Sequence, residues 1–139
     1  MGINVEGINF GKTVNVLHPG NTYNFIVTGR FITDFSGVFF GIHIRSISGV
    51  AITGQRYPEE GALFKNAKAG EAFNVRFSFK MDLLPGVYFS GGGIWSSQDP
   101  ECAHRILDAL MFRVIPKKRQ HSFGYVDSSA GDPSLEIIK

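Results

Sequence analysis

Apolar and polar residues alternate with a period of two along most of this chain. In TYNFIVTGRF, Tyr23, Phe25, Val27, Gly29 and Phe31 fall on one side, against Asn24, Ile26, Thr28 and Arg30. VFFGIHIRSI sets Phe40, Ile42 and Ile44 against Phe39, Gly41, His43 and Arg45. AFNVRFSFK sets Phe73, Val75, Phe77 and Phe79 against Asn74, Arg76, Ser78 and Lys80. In ALMFRVI the inward set is Leu110, Phe112 and Val114. Successive side chains of a strand point to opposite faces, so each stretch predicts a strand with one face buried and one wet.

Turn chemistry separates these stretches: HPGN at 18–21, SG at 36–37 and 48–49, KAGE at 68–71, LPG at 84–86. Short strands at this spacing, without strand–helix alternation, predict an all-β antiparallel sandwich or barrel. Only YPEEGALFKNAK and PECAHRILDA have room for a helical turn. The one candidate boundary is PKKRQHS, which divides a β-sandwich over residues 1–116 from a linker and final strand or two over 117–139.

VYFSGGGIW breaks the pattern. Gly91, Gly92 and Gly93 interrupt a strand that ends near Trp95, the chain's single tryptophan. Glycine inside a strand packs nothing and loses the most backbone entropy, so it marks a bulge, a bend or a close approach. With Tyr88 inward, Phe89, Gly91, Gly93 and Trp95 share the other face. The glycines then clear a trough walled by Trp95 or Phe89; alternatively, Trp95 plugs the end of the core and the glycines mark a bulge.

The 139 residues suffice for one domain, and 43% hydrophobic with 19% charged residues place the chain among globular proteins. A net charge of +2 is too small to argue for nucleic acid, and the basic run KKRQH reads as a solvated linker. Cys102, alone and in an apparent loop, allows no intrachain disulfide or thiolate metal site. His18, His43, His104 and His121 match no metal-ligand spacing. No phosphate-cradling G-x-x-x-x-G-K-[ST] and no G-x-S-x-G elbow occurs, and the acids Glu59, Glu60, Asp99 and Glu101 sit in loops without facing partners. The expectation is a non-enzyme with no cofactor.

VNVLHPGNTYNFIVTGRF, FFGIHIRSISGVAITG, AGEAFNVRFSFKMDLLPGVYFSGGGI and LDALMFRVI, in this order, resemble the C-terminal carbohydrate-binding domain of Wzt-type proteins over about Val14 to Ile115. HSFGYVDSS in the tail is similar too. Wzt-type proteins are nucleotide-binding subunits of ABC transporters that export O-antigen polysaccharide. The resemblance implies an immunoglobulin-like (jelly-roll-like) antiparallel sandwich on the cytoplasmic side of the inner membrane. It would recognise the non-reducing end of the chain and form a homodimer by exchanging its C-terminal strand. It also implies an upstream ATPase domain and, through it, a transmembrane transporter subunit. Gln55-Arg56 stand where many relatives carry Asn-Thr, so the polar groups offered there differ.

A glycan site needs aromatic faces for C–H stacking and polar side chains for hydroxyls. With Phe40, Ile42 and Ile44 inward, His43 and Arg45 project outward two residues apart. Arg30 projects outward from the preceding strand, expected to be a neighbour. An arginine there suits an anionic group through a charge-assisted fork. Gln55, Arg56 and Tyr57, on an adjoining loop, complete the candidates with Trp95 and Phe89. The same residues also fit a solvated face, or a protein-binding or dimerising sandwich, for which a broad apolar patch is expected. A third alternative is the same module fused to a glycan-modifying enzyme.

Overall fold

A computed structural model describes residues 2–7, 15–62, 65–96 and 102–139, with backbone alone at 2–7, 65 and 102–109. The described strands are β1 (Gly2–Gly7), β2 (Val16–Leu17), β3 (Thr22–Arg30), β4 (Phe35–Ser46), β5 (Ala51–Tyr57), β6 (Lys65–Ala67), β7 (Ala72–Lys80), β8 (Gly86–Ser96) and β9 (Cys102–Val114). They form a three-stranded sheet ordered β1-β3-β7 and a six-stranded sheet ordered β2-β9-β8-β4-β5, with β6 also on β4. The fold is an all-β sandwich. One pairing departs from the antiparallel expectation: β2 runs parallel to β9, Val16 beside Arg113 and Leu17 beside Val114.

The inward residues read from the alternation make the core. Phe25 and Val27 of β3, Phe77 and Phe79 of β7, Ile42 and Ile44 of β4, and Phe112 and Val114 of β9 are buried together. Phe25 joins the two sheets, meeting Phe79 edge-on at 5.1 Å and Phe112 of the opposite sheet edge-on at 5.4 Å. Edge-to-face aromatic pairs contribute about 0.5–1.5 kcal/mol each beyond the area they bury.

Both segments with room for a helical turn are resolved differently. Residues 59–62 form a turn closed by Ala62 N–H to the Glu59 carbonyl at 3.0 Å, and Lys65–Ala67 is strand β6. Most of PECAHRILDA lies in β9, which places Cys102 at a strand start rather than in a loop. Pairing with β8 from Trp95–Cys102 to Gly86–Val114 decides this: a long ladder partner outweighs weak local helix propensity.

The tail makes less regular structure than expected. Its one ladder contact is an isolated bridge between Leu83 and Val126. Leu84 N–H donates to the Tyr125 carbonyl at 2.8 Å and Asp127 N–H to the Asp82 carbonyl at 2.6 Å.

Candidate functional site

β4 and β8 pair so that Phe39 stands opposite Trp95, Gly41 opposite Gly93, His43 opposite Gly91 and Arg45 opposite Phe89. Their alternates Phe40, Ile42 and Ile44 are core residues, so these pairs lie on the outer face of the six-stranded sheet. On β5, Arg56 stands opposite Gly41 and Gly54 opposite His43. Glycine backbone, buried at Gly41, Gly91 and Gly93, therefore runs across the middle of this face, with large side chains at both ends.

At one end, Phe39 and Trp95 stack with centroids 5.3 Å apart and planes 10° from parallel. The Arg56 guanidinium carbon sits 4.1 Å from the Phe39 centroid, and Arg56 Nε donates to the Pro58 carbonyl at 3.0 Å. Arg56, Phe39 and Trp95 thus form one row across β5, β4 and β8. A cation over an aromatic face gains about 0.5–1 kcal/mol at exposed sites. The sequence pattern put Phe39 on this face without marking it as a site residue. The signal was its spacing, two residues before Gly41 and four before His43.

The glycines fulfil parts of both sequence expectations. Trp95 lies outside the core cluster and on the outer face. The β8–β9 register also shifts between Ser90 and Gly92, and again between Ile94 and Trp95, so the glycine run does carry an irregularity. The trough is partly filled: a Cβ on Gly41 would stand 2.8 Å from Trp95 Cζ3 and 3.2 Å from Cη2. The indole lies over Gly41 as a platform rather than standing as a wall. At Gly54 a Cβ would come within 2.6 Å of the Ile42 carbonyl oxygen, so backbone itself excludes a side chain there.

At the other end are His43, Arg45 and Phe89, all half-buried, with His43 Nε2 and Arg45 Nε buried. Arg30 is not their neighbour. β3 belongs to the three-stranded sheet, because the chain crosses between sheets over residues 31–34, and Arg30 Nη1 instead donates to the Gly70 carbonyl. Gln55 and Tyr57 are in β5 rather than a loop, opposite the inward residues Ile42 and Phe40. They therefore face away from Trp95. Gln55 Nε2 donates to the Ser78 carbonyl at 2.7 Å, tying the β5 edge to the β7 edge of the other sheet. Tyr57 lines a separate cavity with Phe31, Phe40, Phe73 and Asn74. Of the predicted set, Trp95, Phe89, His43, Arg45 and Arg56 come together. Asp99 and Glu101 lie outside the described residues.

A second polar cluster folds the tail on itself. The Asp127 carboxylate accepts from Lys117 Nζ at 2.8 Å, Ser122 Oγ at 2.9 Å, Ser129 Oγ at 2.6 Å and Ser129 N–H at 3.1 Å. Lys117 first, then the Ser129 and Ser122 donors, hold it far below the usual carboxylate range. Among the described residues no group of three or more His, Cys, Asp or Glu is placed to hold a metal ion.

The described strands thus make a two-sheet sandwich with an aromatic–basic row on one outer face. The family model for the Wzt C-terminal domain matches residues 3–128, and the chain belongs to that family. The crystal structure of the C-terminal domain of Wzt superposes with a TM-score of 0.79 at 22% identity, covering 96% of this chain and 81% of that one. This likeness establishes the fold. No curated protein matches the chain in sequence. The family makes this a non-catalytic domain of an ABC transporter component for O-antigen export. Among the described residues no helix is long and apolar enough to cross a membrane.

Proposed function

We propose that the outer face of the six-stranded sheet binds the non-reducing end of an O-antigen polysaccharide and presents it for export. The observation that carries this is the Arg56–Phe39–Trp95 row beside the glycine backbone. Sugar rings bind by laying C–H faces on aromatic rings while polar groups reach their hydroxyls. In this reading the domain works on the cytoplasmic side of the inner membrane, joined through an ATPase domain to a transmembrane subunit.

The tail supports a homodimer by strand exchange. Residues 125–127 already pair with 82–84 through backbone contacts that a second copy supplies equally well. Phe123 is 95% exposed, and Leu135 and Ile138 are each 87% exposed, which leaves an apolar tail for a partner to cover.

The test is calorimetric titration of the domain with the O-polysaccharide of the cell that makes it, beside Trp95→Ala and Phe39→Ala. Saturable binding without glycan turnover, weakened by both substitutions, is expected. Hydrolysis or transfer by the purified domain, or binding indifferent to both substitutions, would overturn it.

A further inference from the structure

The turn between β4 and β5 is a three-residue hairpin loop. Gly49 N–H donates to the Ser46 carbonyl at 3.0 Å, and Ser46 N–H donates to the Val50 carbonyl at 2.9 Å. Gly49 takes a φ of +87°, the left-handed residue that such a loop requires. A row of hydroxyls leads from this turn to the tail. Ser46 Oγ accepts from Val50 N–H at 3.1 Å and lies 2.9 Å from Ser48 Oγ, which in turn lies 3.4 Å from Tyr125 Oη. Ser46 is buried, whereas Tyr125 is 43% exposed. Ser46 first, and then Ser48, hold the Tyr125 phenol below its usual range, as hydrogen bonds to a phenol oxygen do.

Tyr125 is held on its other side as well. Its carbonyl accepts from Leu84 N–H at 2.8 Å, and the Leu84 carbonyl accepts from the buried Tyr88 hydroxyl. Tyr88 stands opposite Ser46 across β8 and β4, so the contacts close a ring through Ser46, Ser48, Tyr125, Leu84 and Tyr88. The next pair along the same two strands is Arg45 opposite Phe89, one end of the outer face. There the β4–β5 register slips: Ile44 stands opposite Thr53, but Arg45 opposite Ala51. A bulge increases local twist and re-aims neighbouring side chains, so the direction of Arg45 depends on what holds the turn beyond it. Docking of the tail on residues 82–84 uses backbone contacts alone. The Tyr125 hydroxyl adds a contact to a different element.

We propose that Tyr125 is a positioning residue for this end of the outer face: its hydroxyl, bonded to Ser48, sets the β4–β5 turn and with it the direction of Arg45 beside Phe89. The proposal rests on the glycan-binding reading above and adds the tail to the site. Coupling between two sites is reciprocal, so ligand on the face and the docked tail stabilise each other. An exchanged tail brings the same hydroxyl from a second copy, so the proposal holds for either arrangement of the tail.

The test uses the full chain, isotopically labelled, as Tyr125→Phe, Ser48→Ala, Ser48→Thr and the Tyr125→Phe, Ser48→Ala double variant, with melting temperature as the check on folding. Each is compared with the unaltered chain, first free and then titrated with the O-polysaccharide. Without glycan, Tyr125→Phe should move the amide resonances of Arg45, Gly49 and Phe89 and leave those of Leu84 and Asp127 in place. Its affinity should fall about two- to tenfold, the scale of one hydrogen bond. Ser48→Ala should match it, and the double variant should lose no more than either alone, because both remove the same contact. Ser48→Thr retains the hydroxyl and should retain the affinity. Unchanged affinity in Tyr125→Phe, or weakened affinity with Arg45 and Phe89 unmoved, overturns the proposal and leaves glycan binding standing. Displaced Leu84 and Asp127 resonances in Tyr125→Phe would assign the loss to release of the tail and overturn the role of the hydroxyl. No binding by the unaltered chain overturns both readings.

Discussion

Trp95 and Gly41 compete for one space: the indole Cζ3 lies where a side chain on Gly41 would begin, 2.8 Å from an ideal Cβ. The two residues sit on neighbouring strands and depend on each other. A flat ring can lie on the sheet only where the strand beneath it has no side chain. The same ring is fixed from its side by Phe39, stacked at 5.3 Å. The platform is therefore a property of β4 as much as of β8.

Gly41→Ala should lift the indole off the sheet. Overpacking typically costs about 1–3 kcal/mol, and the half-buried ring has room to move, so a loss near the low end is expected. Trp95 is the only tryptophan, so its fluorescence reports the displacement without interference. A shifted emission maximum with weakened glycan binding is the expected result. Unchanged emission would show that the ring does not rest on Gly41.

Gln55→Ala should separate two effects that the sequence could not. Gln55 faces away from Trp95 and bridges the sheet edges through the Ser78 carbonyl at 2.7 Å. Its loss should cost about 0.5–1.5 kcal/mol, the usual net value of one hydrogen bond, and leave glycan affinity unchanged. Denaturant unfolding and calorimetry together check this. A large loss of affinity at full stability would return Gln55 to the binding site.

The contrast between Gln55 and Arg56 shows how far the chain could be read unaided. Period-two alternation placed Phe25, Ile42, Phe77 and Phe112 in the core, because burial of one face imposes the pattern directly. It also put His43, Arg45, Phe89 and Trp95 on the face where they stand. Alternation does not say which strands are neighbours, and so Arg30 was grouped with residues of the other sheet. In β5 the stretch ITGQRY has no apolar alternation to set a face, and pairing with β4 alone sends Arg56 outward and Gln55 inward. The strand at Cys102 was hidden for a related reason: its partner β8, rather than its own residues, makes it extended.

Acid should loosen the tail's own fold. Lys117, then Ser129 and Ser122, lower the Asp127 pKa, so the ionised carboxylate favours the folded tail. That contribution is complete above the unfolded-tail value of about 3.9 and falls as pH drops from there toward the lowered one. The amide resonance of Ser129, which donates to this carboxylate, should hold steady near neutrality and move below about pH 4. Asp127→Asn should show the moved position already at neutral pH. Signals that stay fixed throughout the acid range would contradict the role given to this carboxylate.

Removing residues 116–139 should abolish the proposed dimer. The truncated chain keeps β1 to β9 and loses Val126 and Asp127, which pair with Leu83 and Asp82. Light scattering should then report monomer, or aggregate from the newly exposed edge. A soluble, well-folded dimer that survives this truncation would rule out strand exchange and move the interface to another face.

The central claim is that glycan binds on the outer face of the six-stranded sheet. The most direct measurement is a backbone-amide chemical-shift map recorded while the isotopically labelled domain is titrated with its O-polysaccharide. Shifts should concentrate on residues 39–45, 54–56 and 89–95, accompanied by the Trp95 indole N–H, and should be absent in Trp95→Ala. Shifts confined to the three-stranded sheet or to the cavity beside Tyr57, with the Trp95 indole unmoved, would contradict the account.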